Sequence, residues 1–216
     1  MTTADLVFYV QSLAKRKKYC QTACKGIIIS LIIATAWRWF FYWRKSMELQ
    51  ELYKKTLELF ECSSAEDLGT QLLTACSNPD KLTAFSDLVH DDLSKDWLQM
   101  IYQYYLADRE GKKQDYTPAC LARFLSLLVG DSTETVDMCA GSGALTIQRW
   151  CEHPDMSFEL YEIDETVIPF LVFNMVIRNI TAKVIHADVL QNETYEKYLI
   201  EKGEQFGKVT YIEPAI

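Results

Sequence analysis

The stretch Val136-Asp137-Met138-Cys139-Ala140-Gly141-Ser142-Gly143-Ala144-Leu145 decides the fold. A short β-prone run ends in an acidic residue and turns through two glycines into an apolar helix start. In an α/β domain this layout brings backbone N–H groups against a bound ligand at the carboxyl end of a strand. Which ligand it takes depends on the residues around it.

Working outward, strands and helices alternate. Tyr116-Thr117-Pro118 leads into a helix over 119–128, with Thr117 as its natural N-cap and Pro118 at the tolerated first position. The pattern then predicts a strand over 135–138, a helix over 144–150 and a strand over 157–161 ending at Glu162-Ile163-Asp164. A helix over 167–179 and a strand over 182–185 ending at His186-Ala187-Asp188 follow. This spacing predicts a parallel, doubly wound sheet, a Rossmann-like α/β core over 116–216. Residues 47–115 read as helical: Leu49, Leu52, Tyr53, Leu57 and Phe60 recur at three- and four-residue steps. Ser63-Ser64-Ala65-Glu66 supplies a capping-box start for the next helix, and Asn78-Pro79-Asp80 a turn. Two more helices are expected around 82–89 and 93–106, before a polar link over 108–115.

The 216 residues suffice for one full core with extra helices. Seven cysteines are scattered without a Cys-x-x-Cys pair, and His90, His153 and His186 lie far apart, so neither a zinc site nor a disulfide framework is expected. Reduced thiols in a cytoplasmic protein fit better. Residues 1–46 carry eight Lys or Arg against Asp5, a net of +7; of the 22 basic and 30 acidic residues in the chain, the other 14 and 29 lie beyond, a net of −15. A body that acidic has no broad electrostatic footprint for nucleic acid, so any DNA-contacting surface must be local or supplied by further sequence or a partner. Within the first segment, Gly26 to Trp43 reads GIIISLIIATAWRWFFYW with Arg38 as its single charge. It admits a membrane helix with an aromatic belt, a shorter apolar helix, or an extension outside a native start at Met47. The membrane reading is not the favoured one.

Three acids fall at the ends of three successive expected strands: Asp137, Glu162 with Asp164, and Asp188. Ligands of open α/β sheets bind at these ends. Glu162 stands where a carboxylate accepts ribose hydroxyls, and Asp188 where a side chain reaches an adenine amino group. The run G-S-G-A-L-T lacks the third glycine of a dinucleotide fingerprint, and no lysine follows as in a Walker loop. Asp137 beside the loop would repel a polyphosphate but suits a cation. S-adenosylmethionine fits, since it carries a sulfonium and an ammonium and no phosphate.

Tyr116-Thr117-Pro118, Asp137-Met-Cys-Ala-Gly-Ser-Gly143, Glu162-Ile-Asp164, Phe173-Asn174-Met175 and Asp188-Val189-Leu190 together resemble the N6-adenine DNA methyltransferases. The likeness is to the methylase subunits of type I restriction–modification systems and to phage-borne orphan enzymes, and it covers about Asp96 to Leu190. It implies that Tyr116, Thr117 and Pro118 help hold the methionine end of the cofactor. Asp137 and the run Cys139, Ala140, Gly141, Ser142 and Gly143 would line its amino-acid moiety. Glu162 would take the ribose hydroxyls, Ile163 would pack on the adenine face, and Asp188 with Val189 would meet the adenine amino group. Cys139 also reads more simply as a buried small hydrophobe.

The family's catalytic Asn/Asp-Pro-Pro-Tyr/Phe tetrapeptide, which holds a flipped adenine, does not occur in these residues. Glu213-Pro214-Ala215-Ile216 is the nearest sequence, and each of its changes removes a function the chemistry needs. Residues 195–211 read as an inserted loop or hairpin ahead of the missing strand. The leading expectation is therefore the N-terminal and cofactor-binding part of an adenine-N6 DNA methyltransferase, inactive by itself. A methyltransferase for RNA, protein or a small molecule, and a non-catalytic cofactor-sensing or interaction module, stand as alternatives.

Overall fold

The computed structural model describes residues 49–107, 111, 117–130 and 132–212, which belong almost entirely to one compact unit, Glu51–Ile216. The apolar stretch Gly26–Trp43, Tyr116 and the terminal Glu213–Ile216 lie outside the described residues. Among the described residues no helix is long and apolar enough to cross a membrane.

Among the described residues four helices come first: α1 through residues 49–60, α2 (Ala65–Ala75), α3 (Pro79–Leu88) and α4 (Trp97–Tyr105). Asn78 caps α3 by accepting the N–H groups of Asp80 and Lys81, and Asp96 caps α4 by accepting that of Gln99. At α2 the expected capping box does not form. Ser64 is the N-cap, and its hydroxyl donates to the Asp67 carboxylate instead of accepting a backbone N–H.

Next come α5 (Ala119–Leu128), β1 (Glu134–Asp137), α6 (Ala144–Glu152), β2 (Ser157–Glu162), α7 (Ile168–Ile177), β3 (Ala182–Asp188), β4 (Glu193–Glu201) and β5 (Lys208–Ile212). Pro118, not Thr117, is the N-cap of α5. Its ψ of 140° is extended, so the helix spans 119–128 as expected but its cap lies one residue later, with the Leu121 and Ala122 N–H groups on the Pro118 carbonyl.

The five strands form one sheet in the order β1-β2-β3-β4-β5. β1, β2 and β3 run parallel, linked by α6 and α7 as the alternating pattern requires. The sheet is mixed, however, because β4 turns back on β3 and β5 on β4, both antiparallel. The expectation of a parallel, doubly wound sheet is thus corrected to a mixed sheet, parallel in its first three strands only. Connections of four residues (189–192) and six (202–207) cannot hold a crossover helix, so the chain past Asp188 folds back in two hairpins. The turn between β4 and β5 is fastened to the end of α7: Gly207 donates to the Val176 carbonyl at 2.8 Å, and Asn179 exchanges two hydrogen bonds with the Gly203 backbone. The Val176 carbonyl, which also accepts the Asn179 N–H, thereby gains a donor from outside the helix.

Helix α7 is apolar on every side, and nine of its ten residues are buried. A helix of that kind must be covered all round. The sheet covers one side, and α2 and α4 cover the other. Phe173 meets Phe60 and Phe85 edge-on at centroid distances of 5.5 and 5.3 Å, and Phe170 meets Tyr102 at 5.2 Å. Each fully buried Phe or Leu contributes roughly 1.5–3 kcal/mol, so the helical region and the sheet share one core.

Candidate functional site

The glycine loop joins β1 to α6 and is held by its own backbone first. The Cys139 N–H donates to Asp137 Oδ1 at 3.0 Å, the Ala140 N–H to the Tyr161 carbonyl of β2 at 2.9 Å, and the Gly143 N–H to the Ala140 carbonyl at 2.9 Å. Gly143 takes φ +98° at the N-cap of α6, where a Cβ would come within 3.0 Å of Leu171 and Met175. Only glycine meets both the backbone and the space there. Gly141 also has positive φ (+56°), but a Cβ on it would meet nothing within 4 Å, because it faces an open cleft.

That cleft, about 620 Å³ with its solvent mouth, is lined by Cys139, Ala140, Gly141, Ser142, Ala144 and Leu145 from the loop and α6. Thr117, Gln99, Val167 and Glu162 close the remaining walls. Of the residues singled out by sequence, Thr117, Cys139, Ala140, Gly141, Ser142 and Glu162 come together on this wall. Asp137 and Gly143 lie behind the loop and shape it. Pro118 and Ile163 are exposed beside the cleft, and Tyr116 is outside the described residues. Asp188 Oδ1 accepts the N–H groups of Leu190 and Gln191, so it caps the β3–β4 turn, with Val189 in that turn. Gln99 and Val167 are lining residues that sequence reading missed; a helix-face Gln and a helix-leading Val carry no local signal.

The charges are distinctive. Glu162 accepts three backbone N–H groups: Gly141 at 2.7 Å on Oε2, with Ile163 and Asp164 each at 2.9 Å on Oε1. Burial pushes the Asp137 carboxyl above its ordinary range, opposed by the Cys139 N–H. Cys139 is exposed at the cleft wall, so the expectation of a buried small hydrophobe is corrected. Desolvation, with Glu162 and Asp137 nearby, raises its thiol, and at neutral pH it stays protonated. Among the lining residues one carboxylate is present and no lysine or arginine. The donor set fits a cation-bearing, phosphate-free ligand, as S-adenosylmethionine is. Among the described residues no group of three His, Cys, Asp or Glu could hold a metal ion.

No curated protein matches this chain, and no solved structure does. The sequence model of the family described as N-6 DNA Methylase matches residues 93–211, more than half of the chain. The matched span opens just before the Asp96 cap of α4 and takes in the glycine loop, the Glu162 strand end and the hairpin. This chain belongs to the N-6 DNA methylase family.

Proposed function

We propose that the cleft between the glycine loop, Thr117 and Glu162 binds S-adenosylmethionine, and that the chain serves methyl transfer to N6 of adenine in DNA. A restriction–modification or phage orphan setting fits the resemblance. The observation that carries the reading is the cleft wall itself: a glycine loop with one carboxylate and no cationic side chain. Bound there, the cofactor would supply an electrophilic methyl group on its sulfonium. Thr117 would face its methionine end, Glu162 its ribose, Ile163 and Val189 its adenine face, and Asp188 the adenine amino group. The five described cysteines are free thiols, which supports a reducing, cytoplasmic setting.

We read the base-contacting half of the site as lying outside the described residues. Two features support this. β1, which carries the loop, pairs only with β2, so its other edge has no strand partner among the described residues. α5, packed on α6, buries Ala122 and Ser126 but exposes Leu121, Phe124, Leu125 and Leu128, the last at 63 %. Open strand edges and apolar helix faces are normally covered. A strand added past β1 would close the open edge and bring further residues to the strand ends.

Calorimetry with S-adenosylmethionine on the full chain and on Asp137→Ala tests the cofactor reading. Binding that Asp137→Ala weakens supports it, and no heat from the wild type sinks it. Incubation with labelled cofactor and unmethylated DNA tests the second half. Efficient methylation by these 216 residues would overturn the incomplete-site reading.

A further inference from the structure

Beneath the glycine loop lies a buried polar cluster whose members Asp96, Asn174 and Arg178 do not line the cleft. Asp96 Oδ2 accepts the Ser142 hydroxyl at 2.6 Å, and Oδ1 accepts the Gln99 N–H at 2.9 Å and Asn174 Nδ2 at 3.0 Å. Asn174 Nδ2 also donates to the Ser142 carbonyl at 2.8 Å. Arg178 Nη1 donates to Asn174 Oδ1 at 2.8 Å, and its Nε and Nη2 donate to the carbonyls of Leu93 and Lys95, each at 2.8 Å. Ser142 and Asn174 are 1 % exposed, Arg178 5 % and Asp96 9 %. Three distant pieces of chain, 93–96, the glycine loop and α7, meet here.

Burying such a cluster is costly, and a well-packed apolar replacement is often no less stable. Its value lies in geometry. Ser142 sits between Gly141 and Gly143, the two residues of the loop with the widest backbone freedom. The cluster grips Ser142 from both sides, the hydroxyl through Asp96 and the carbonyl through Asn174. We propose that Asp96 is a positioning residue: through Ser142 it holds the glycine loop in its ligand-accepting shape, so the segment leading into α4 is a working part of the cofactor site. Asp96 does not line the cleft, so its effect on binding passes through the lining residues it holds, Ser142 of the loop and Gln99 of α4, and Ser142→Ala isolates the first route. The proposal rests on the reading that this cleft takes S-adenosylmethionine.

The test compares the full chain with Ser142→Ala, Asp96→Ala and Asp96→Asn. Calorimetry reads cofactor affinity, and hydrogen exchange without ligand reads the amides of 139–143. Ser142→Ala cuts the tether and leaves the Asp96 charge beside Arg178. Asp96→Asn keeps an acceptor toward Gln99 and can turn its NH2 to the Ser142 oxygen, so it preserves the tether. A charge-assisted buried hydrogen bond of this kind corresponds to roughly tenfold in affinity when its loss is felt at the site. Ser142→Ala and Asp96→Ala are expected to bind about tenfold more weakly, with faster loop exchange. Their double variant is expected to bind no worse than either single one, and Asp96→Asn to recover to within about threefold of wild type. If Asp96→Ala does not fold, Ser142→Ala against Asp96→Asn still decides. Wild-type affinity and wild-type loop exchange in Ser142→Ala overturn the proposal. A wild-type chain that fails to bind the cofactor overturns the reading of the cleft, and the ligand-free exchange arm still reports on the tether.

Discussion

The Glu162 carboxylate accepts the Gly141 N–H at 2.7 Å, so the acid at the end of β2 is bound to the glycine loop at the end of β1. Two adjacent parallel strands thereby join their functional ends through a side chain as well as through the sheet. With Ile163 and Asp164 also donating to it, Glu162 uses three of its roughly four acceptor positions. One ribose hydroxyl can be accepted directly; a second requires Gly141 to let go.

Replacing this acid should therefore affect loop and ligand together. In Glu162→Gln an amide NH2 must face at least one backbone N–H, leaving a donor against a donor. The expected result is a loss of about 1–3 kcal/mol of stability and weaker cofactor binding. Thermal unfolding and calorimetry read the two effects. An unchanged melting temperature would show that the Gly141 contact contributes nothing.

The two glycines of the loop should fail differently. Gly143→Ala meets Leu171 and Met175 at 3.0 Å in addition to the strain of φ +98°, so it should destabilise the fold by about 2 kcal/mol or more. Gly141→Ala carries only backbone strain of about 1 kcal/mol, because its Cβ points into open cleft. Its larger penalty should be in ligand binding. Denaturant unfolding beside calorimetry checks the ordering, and a Gly141→Ala less stable than Gly143→Ala contradicts it.

Asp137 should couple stability to pH. Its folded pKa lies above the ordinary 3.8, mainly through burial. Between those two values the folded state binds more protons than the unfolded one, so stability falls as pH rises through the interval and stays lower above it. Asparagine mimics the protonated form and keeps the oxygen that accepts the Cys139 N–H. Asp137→Asn is thus expected to melt higher than wild type at pH 7, with the difference vanishing below about pH 3.8. The same variant should bind a cationic cofactor less well. A lower melting temperature at pH 7 would refute the sign.

The exposed face of α5 should be dispensable for folding. Phe124 and Leu128 are 55 % and 63 % exposed, so Phe124→Ser and Leu128→Glu should change stability by no more than about 0.5 kcal/mol. Binding of a hydrophobic dye and self-association in sedimentation should both fall. A large loss of stability would mean that the face is already covered.

The order of elements was legible because each had a local cause. Alternating apolar runs marked β1 to β3 and their helices, and the apolar run at 170–177, broken only by Asn174, lies in the helix expected over 167–179. Glycines beside an acid marked the turn between β1 and α6, since only glycine takes the backbone shape at Gly143. Cap positions were harder. Thr117 and Ser63 had suitable side chains, but one residue of helical register moved the caps to Pro118 and Ser64.

The sequence by itself determined the residue types of the loop, an acid, two glycines and no lysine in a row, and with them the turn between β1 and α6. What only the tertiary structure decided is how the loop is held. Asp96, Asn174 and Arg178 lie 46, 32 and 36 residues from Ser142, and no local pattern links them. The packing of α7 between helices and sheet brings them together, and a buried acid can remain there only because that packing also delivers its donors.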